Sequence, residues 1–290
     1  METVELLKKI RRLEIKTKGL TKQIFSGEYH SAFKGKGMAF SEVRNYLHGD
    51  EVRTIDWNVT ARFDEPFVKV FEEERELSVM LVVDVSASGS FTVNDKSKKD
   101  LAIEIAAVLA FSAINNNDKI GAIFVSDKVE KYIPANKGRK HALLILRELI
   151  EFKPQNKGTN ITEGLKFLRN THKKRCISFV LSDFIDDSDY TESLQLNDRK
   201  HDMVAIHLYD KGEFLLPKLG LIQVKNLETG KFSWINSNND EVRSKYQESF
   251  ELKKKELIHD LNKKGIDAVS VSTEEDFILP LVYLFKHRKR

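Results

Sequence analysis

Asp84, Ser86 and Ser88 are the residues of this chain whose types and spacing best suit a chemical task. They close the apolar run SVMLVVDV (78–85) and place one carboxylate and two hydroxyls at alternate positions. Carboxylate and neutral oxygen ligands are those that a hard divalent cation prefers. The alternative interpretation is that these side chains only cap a turn and the helix after it. Their position at the end of a buried strand favours a cation site.

Two later segments offer further oxygen ligands. The apolar run CISFVLSD ends at Asp183, and the loop NKGTNITEGL provides Thr159, with Thr162 as the alternative. Ligand sites of parallel sheets form at the carboxyl ends of several strands, so we expect these groups to meet the first three. Ligation by oxygen alone favours Mg²⁺, with Mn²⁺ as a possible substitute. A cation held by two carboxylates and hydroxyls is suited to receive an Asp or Glu from a partner.

The elements that position these residues alternate along the chain. Apolar runs rich in β-branched residues recur at 78–85, 119–126, 176–183, 202–209 and 265–272, and helical spacing is found at 95–114, 138–152, 160–171, 240–264 and 276–287. Runs that suit burial on both faces are typical of parallel strands. The pattern therefore predicts an α/β, Rossmann-like three-layer sandwich with a mostly parallel central sheet.

Two regions interrupt this alternation. Residues 26–76 have no long period, and residues 212–236 resemble two strands around the turn Glu228–Thr229–Gly230. We expect the two regions to pair into a small β-rich subdomain. The predicted domains are residues 1–76, an amphipathic N-terminal helix and a β-rich segment packed on the core, and residues 77–290, the α/β domain with its hairpin insertion near 212–236.

Composition excludes several classes of protein. The net charge of +4 is too balanced for a dedicated nucleic-acid binder, and the single cysteine, Cys176, permits no internal disulfide and fits a reducing compartment. The chain has no apolar run of the roughly 18–20 residues that cross a bilayer, and its charged N-terminus differs from a signal peptide. We expect a cytoplasmic protein without a transmembrane segment and without a nucleic-acid partner.

Enzyme signatures are missing from the sequence. The histidines form no H-E-x-x-H motif, and Ser86 lacks the G-x-S-x-G elbow. A two-metal phosphatase needs more carboxylates than Asp84 and Asp183 supply. Lys34–Gly37 lacks the spacing of a nucleotide-binding loop. We therefore predict no catalytic and no organic-cofactor residues, with a metal-dependent hydrolase as the remaining enzymatic alternative.

Charged residues are dense in the segment RNYLHGDEVRTIDWNVTAR. The candidates are Arg44, Asp50, Arg53, Asp56, Trp57 and Arg62. One interpretation is structural: bidentate Arg–Asp pairs would lock an irregular segment, with Gly49 providing positive φ in a turn. The other is functional: the same residues would form a docking surface with Trp57 or Arg62 as anchors. The two interpretations are compatible.

The cation pattern resembles the metal-ion-dependent adhesion site (MIDAS) of von Willebrand factor A-type domains, over about residues 78–285. A more specific resemblance covers nearly the whole chain. The segment GKGMAFSEVRNYLHGDEVRTIDWNVTARFDEPFVKVFEEERE, together with KGRKHALLILREL, KGTNITEGL, VLSDFID and LETGKFSWINS, is similar to bacterial domain-of-unknown-function family 58 proteins.

This resemblance implies a von Willebrand factor A-like module that acts with a MoxR-type AAA+ ATPase in chaperone-like assembly or maturation of client protein complexes. Many relatives carry transmembrane helices before the hallmark segment, and we do not expect membrane attachment here. The leading hypothesis is a Mg²⁺-dependent, non-enzymatic interaction module with the ATPase and a client as partners. The alternative is an interaction scaffold whose metal site is structural or vestigial, with docking through the Arg44–Arg62 segment.

Overall fold

Strands and helices alternate through most of this computed structural model, which describes residues 39–63, 65–72, 77–90, 96–156, 158–186, 188–225 and 232–287. The strands are β1 (Ala39–Asn45), β2 (Phe67–Glu72), β3 (Ser78–Asp84), β4 (Lys119–Val125), β5 (Val129–Asn136), β6 (Ile177–Ser182), β7 (Asp202–Tyr209), β8 (Leu221–Lys225), β9 (Phe232–Asn236) and β10 (Asp267–Ser272). The helices are α1 (Trp57–Phe63), α2 (Lys98–Asn115), α3 (Arg139–Glu151), α4 (Ile161–Thr171), α5 (Tyr190–Asp198), α6 (Asp240–Lys263) and α7 (Ile278–His287). Every helix within these ranges is too short or too polar to cross a bilayer.

Six of the strands form one sheet in the order β10–β7–β6–β3–β4–β5. Its neighbouring strands are parallel except for β4 and β5, which are antiparallel. Numbered along the chain, these six strands have the order 3-2-1-4-5-6 of a doubly wound sheet. The chain reverses its winding direction between β3 and β6, and ligands of such sheets bind outside this switch point. Asp84 ends β3, and Asp183 follows β6 directly.

Helices cover both faces of the sheet. On one face, Val82 of β3 belongs to the same buried cluster as Leu165 of α4 and Leu261 of α6. On the other face, Phe179 of β6 packs edge-on against Phe285 of α7, with ring centroids 6.0 Å apart. Successive residues of a strand point to opposite faces, so the apolar runs of β3 and β6 serve both layers. The predicted three-layer α/β sandwich with a mostly parallel sheet is confirmed.

Helix α2 follows β3 and begins next to its carboxyl end. Ser97 is the N-cap: its hydroxyl accepts from the Asp100 N–H at 3.1 Å, and the Asp100 carboxylate reaches back to the Ser97 N–H. This capping box fixes where the helix starts. The helical spacing at 95–114 predicts this helix, which is buried on most sides because alanines separate its larger apolar residues. Lys98, its first residue, is among the buried ones.

The chain divides into two compact units, Phe33–Leu77 and one that contains Ser78–Arg290. In the first unit β1 and β2 form an antiparallel two-stranded sheet, and in the second β8 and β9 form another. The predicted pairing of residues 26–76 with residues 212–236 is therefore wrong for the described strands. Each region satisfies its strand hydrogen bonds with its own neighbouring segment, for which a short connection is enough. The predicted N-terminal helix and the Glu228–Thr229–Gly230 turn lie outside the described residues.

Candidate functional site

Asp84 organises the carboxyl end of β3. Its Oδ1 accepts a hydrogen bond from the Ser86 N–H at 2.9 Å, and its Oδ2 accepts one from the Ser182 hydroxyl at 2.6 Å. Ser182 is the last residue of β6, the neighbouring strand, so the switch point itself supplies this donor. The chain then turns through the 3₁₀ helix Ala87–Ser90, which brings the Ser86 and Ser88 hydroxyl oxygens within 3.0 Å of each other. The three oxygen-bearing residues predicted here do come together.

A cavity of about 20 Å³ opens beside this turn. Its lining residues are Asp84, Ser88, Gly89, Lys98, Lys99, Ala102, Ser182, Asp183 and Leu208. A space of this size holds about one water molecule or one small ion. Three of the five predicted ligands line it, Asp84, Ser88 and Asp183. Ser86 is not among the lining residues, but its hydroxyl contacts that of Ser88.

Thr159 does not line this cavity, and neither does the alternative ligand Thr162. The start of α4 is held elsewhere: the Ile161 N–H donates to the Asp186 carboxylate at 2.7 Å, and the Asn160 N–H donates to the Ser126 carbonyl, also at 2.7 Å. The Thr162 hydroxyl lies 3.0 Å from the Ser188 hydroxyl. These bonds fix the loop that carries Thr159, and its role as the fifth ligand stays a prediction.

Lys98 is the largest departure from the sequence-based interpretation. Its ammonium lies 2.6 Å from Asp183 Oδ2 and 2.5 Å from Glu213 Oε1. The Lys98 and Asp183 side chains are only 2% and 3% exposed. Burial alone lowers the pKa of Lys98, but the two carboxylates raise it above the ordinary value, so the amine stays charged. Burial raises the pKa of Glu213, and Lys98 opposes that effect.

Asp84, unlike Asp183, is buried without a positively charged partner among the described residues. Among the described residues no lysine or arginine forms an ion pair with it. Burial and the nearby Asp183 carboxylate raise the pKa of Asp84 to about 6, although hydrogen bonds from Ser182 and Ser86 oppose the rise. The site therefore holds two carboxylates in one small space, of which one is neutralised by a lysine and the other is not.

The backbone after β6 is strained. Phe184 has a φ of +53°, in the left-handed region that bulky residues rarely adopt. This conformation lets the Phe184 N–H donate to the Ser182 hydroxyl at 3.0 Å and the Ile185 N–H donate to the Asp183 carboxylate at 3.2 Å. Strain of this kind is found where the surroundings impose it, often at functional sites. Asp183, the residue before Phe184, lines the cavity.

We call the set Asp84, Ser86, Ser88, Lys98, Ser182, Asp183 and Glu213 the switch-point site. Sequence reasoning missed three of its members. Ser182 carries a signal in hindsight, since it is a polar residue at the end of an apolar strand. Lys98 also carries one, because a cation is disfavoured in the first turn of a helix unless something else holds it. Glu213 gives no local signal.

A larger groove of about 520 Å³ adjoins the site and shares Asp183 and Glu213 with it. Its other lining residues are Phe184, Ile185, Asp186, Tyr190, Thr191, His207, Phe250, Lys253, Lys254, Glu256, Leu257, Asp260 and Leu261. Burial lowers the pKa of His207 to about 4, so this side chain is neutral at physiological pH. The groove is lined by apolar residues and by charges of both signs.

The docking candidates of the Phe33–Leu77 unit fall into two groups. Arg44 forms two hydrogen bonds of 2.7 Å to the Asp50 carboxylate, which lowers the pKa of Asp50 to about 2. Asp56 accepts from the Asn58 and Val59 N–H groups and pairs with Lys69 at 3.5 Å. These contacts match the structural interpretation, and Gly49 does have positive φ, +112°.

The second group is exposed. Trp57 is 66% exposed, and the Arg53 and Arg62 side chains also face solvent. Three large apolar residues of the same unit, Leu47, Val52 and Phe63, are exposed to a similar degree. Large apolar side chains on a surface are typical of interaction sites when they occur together. The exposure of this second group is what a docking surface requires, and the functional interpretation stays a prediction for it.

The donor set of the switch-point site can be tested against a divalent cation. Asp84, Ser86 and Ser88 fit it: they offer only oxygen, and burial beside the Asp183 carboxylate raises the pKa of Asp84, an effect that a bound cation would oppose. Asp183 fits less well because Lys98 already neutralises it. The described residues contain no cluster of three or more His, Cys, Asp or Glu side chains suited to a metal. A cation here would depend on hydroxyls, water and an added ligand.

Fold and site together define an α/β protein with an oxygen-rich site at the switch point of a doubly wound sheet. The family described as "Protein of unknown function DUF58" matches residues 42–256, and the chain belongs to this family.

Three known proteins illustrate what the chain is similar to. The uncharacterized protein Mb1516 of Mycobacterium bovis is 26% identical over 283 residues, which cover 97% of this chain and 89% of the relative. A solved aerotolerance-related membrane protein from Bacteroides fragilis matches with a TM-score of 0.49 and 13% identity, covering 73% of this chain and 98% of that one. The SpRpn10 VWA domain matches with a TM-score of 0.40 and 11% identity, covering 72% and 94% respectively.

Proposed function

We propose that this chain is a non-enzymatic protein-interaction module that binds a partner through a divalent cation at the switch-point site. The observation that carries the proposal is Asp84: a carboxylate that faces a cavity of one-ion size and forms no ion pair with a described residue. A cation in that cavity would supply the missing counter-charge. Oxygen-only donors favour Mg²⁺, and Mn²⁺ would substitute for it.

Asp84 and the hydroxyls of Ser86 and Ser88 would hold the cation, and Asp183 would act through water. Thr159 has no part in this proposal, since it is absent from the cavity lining. Such a set supplies one direct negative charge to a divalent ion. The bound ion would therefore keep affinity for a further carboxylate, which we assign to an Asp or Glu of the partner.

The partner we propose is a MoxR-type AAA+ ATPase, with a client protein complex that the pair helps to assemble or mature in the cytoplasm. The support for this partner is the family to which the chain belongs together with the resemblance of its hallmark segments.

The absence of an enzymatic role is part of the same proposal. A serine nucleophile would need a histidine base beside it. Ser86 is instead hydrogen-bonded to Asp84 and Ser88. The buried His207 shares its hydrogen bond with Ser270.

The proposal is tested by measuring the affinity between the purified chain and a MoxR-type ATPase from the same cell. Fluorescence anisotropy would be recorded in Mg²⁺, in EDTA, and in Mg²⁺ with the Asp84→Ala variant. We expect chelation and Asp84→Ala each to weaken binding at least about tenfold, because both remove the bridging ion. Glu151→Ala is the matched control, since it removes an exposed carboxylate of α3 that does not line the cavity. Equal affinity in all four samples would exclude the cation from the mechanism.

A second candidate function is docking without a cation through the Phe33–Leu77 unit. The exposed Trp57 and its exposed apolar neighbours favour it. In that case Trp57→Ala and Arg62→Ala would abolish partner binding, whereas Asp84→Ala and EDTA would leave it unchanged. The same anisotropy assay therefore separates the two functions.

A further inference from the structure

Lys98 places a positive charge on Asp183, the second carboxylate that a cation site would need. The residue lines the same cavity as Asp84 and Asp183, and its ammonium lies 2.6 Å from the Asp183 carboxylate. Glu213 holds the same ammonium from the other side at 2.5 Å. Lys98 itself is 2% exposed, so water does not replace either partner.

The local structure of α2 gives no reason for a lysine at this position. The capping box of Ser97 and Asp100 already satisfies the first turn. The helix N-terminus carries partial positive charge, which disfavours an added cation. Burying an ammonium is costly unless oppositely charged groups surround it. Lys98 is therefore held by the site, and its position depends on Asp183 and Glu213, which lie 85 and 115 residues away in the chain.

We propose that Lys98 is a tethered counter-cation that competes with the divalent ion for Asp183 and so sets how tightly the site binds metal. This inference rests on the proposed function. With Lys98 on Asp183, Asp84 offers the cavity a carboxylate that forms no ion pair with a described residue. The ion is then bound weakly by the chain alone and gains most from a carboxylate of the partner. Without Lys98, both carboxylates would turn to the ion.

The test is the affinity of the full chain for Mn²⁺, measured by isothermal titration calorimetry. The variants are Lys98→Met, the double variant Lys98→Met with Glu213→Gln, and Asp84→Asn. Methionine has nearly the length of lysine without its charge. The double variant removes one positive and one negative charge, so it keeps the net charge of the wild-type site. It therefore separates competition by the ammonium from a simple change in total charge.

We expect Lys98→Met to bind Mn²⁺ at least about tenfold more tightly than wild type, and the double variant to bind several-fold more tightly. Asp84→Asn should remove binding. If the double variant binds with wild-type affinity, the total charge sets the affinity and the inference is wrong. If wild type and both Lys98 variants bind equally and Asp84→Asn does not, the inference fails while the proposed cation site stands.

Two further results are decisive. Tight binding by the Lys98 variants with no measurable binding by wild type supports the inference, although the native interaction would then not use a metal. No binding by any variant overturns both the inference and the cation site.

Thermal unfolding in EDTA and in Mn²⁺ gives an independent readout, because a ligand that binds the folded state raises its midpoint. Mn²⁺ should raise the midpoint of Lys98→Met more than that of wild type. If Lys98→Met does not fold in EDTA, the charge-balanced double variant carries the same comparison.

Discussion

The switch-point site and the turn that Arg44 and Asp50 form use the same chemistry in opposite surroundings. The Lys98–Asp183 and Arg44–Asp50 pairs have nearly equal lengths, 2.6 and 2.7 Å. The first pair is 2% and 3% exposed, whereas the second is 39% and 21% exposed. Water can replace either partner of the exposed pair, so that pair fixes a turn and does little else. The buried charges are shielded from water and have no other charged partner among the described residues, so removing one leaves another uncompensated.

The largest expected effect follows from removing a carboxylate of the buried set. Asp183→Ala leaves the Lys98 ammonium buried with Glu213 alone, and we expect it to lower the free energy of unfolding by about 3 kcal/mol. Urea denaturation in EDTA measures this change. Glu151→Ala, an exposed carboxylate of α3, serves as the control. A loss below about 1 kcal/mol would mean that the buried pair is no more important than an exposed one.

The sequence predicted the framework of this site more accurately than its charges. The five predicted strands are found within two residues of their expected ends, because apolar runs buried on both faces are distinctive. β5 was missed since it is a partly exposed edge strand, and α5 since its short polar sequence lacks a clear period. Asp84, Ser86 and Ser88 were predicted correctly as neighbours because they lie within one turn of chain.

Contacts between distant segments were not predictable in the same way. Lys98 stands in the run DKSKKD, where a lysine would ordinarily face solvent. Its burial depends on where the segment after β6 and the 3₁₀ helix Lys211–Glu213 after β7 place their carboxylates. Thr159 was expected at the cavity, and its loop is fixed by bonds to Ser126 and Asp186 that no local pattern reveals. Periodicity identifies strands and does not determine these long-range contacts.

A second prediction uses the raised pKa of Asp84. The folded pKa is about 6 and the ordinary value is 3.8, so between these values the folded state binds the proton more tightly than the unfolded chain. The protonated form of Asp84 is the one that the fold tolerates, so its contribution to stability is present below about pH 4. This contribution is lost as the pH rises to 6 and the buried carboxylate ionises. Asp84→Asn cannot ionise, so in EDTA its stability relative to wild type should increase over this range, by on the order of 2 kcal/mol.

The variant has to be compared with wild type at each pH, because buried histidines change the free energy of unfolding with pH in the opposite direction. Burial lowers the pKa of His201 and His207 to about 4, so they stabilise the fold as pH rises from 4 to 6.5. Both proteins contain them, and their effect cancels in the difference. The measurement is chemical denaturation at pH 4, 5, 6 and 7. A difference that stays constant with pH would contradict the raised pKa.

A third prediction concerns the backbone of the exposed turn. Gly49 has a φ of +112°, and a Cβ added there would meet no atom within 4 Å. Gly49→Ala should therefore cost about 1 kcal/mol through backbone strain alone, without a packing term. Thermal unfolding of the full chain would record it. An unchanged midpoint would show that this turn is not coupled to the unfolding of the rest of the protein.

The smallest effect is expected at the exposed ion pair. Arg44→Met removes two short hydrogen bonds to Asp50, but water can solvate the carboxylate, and the Leu47 N–H still donates to it at 2.8 Å. We expect the thermal midpoint to change by less than about 2 °C at neutral pH, and less still in 1 M NaCl, where exposed charges are screened. The pKa of Asp50 would rise from about 2 toward its ordinary value, which NMR titration measures. A midpoint loss as large as that of Asp183→Ala would make Arg44 and Asp50 as important to the fold as the buried charges, and the distinction between the two regions would have to be abandoned.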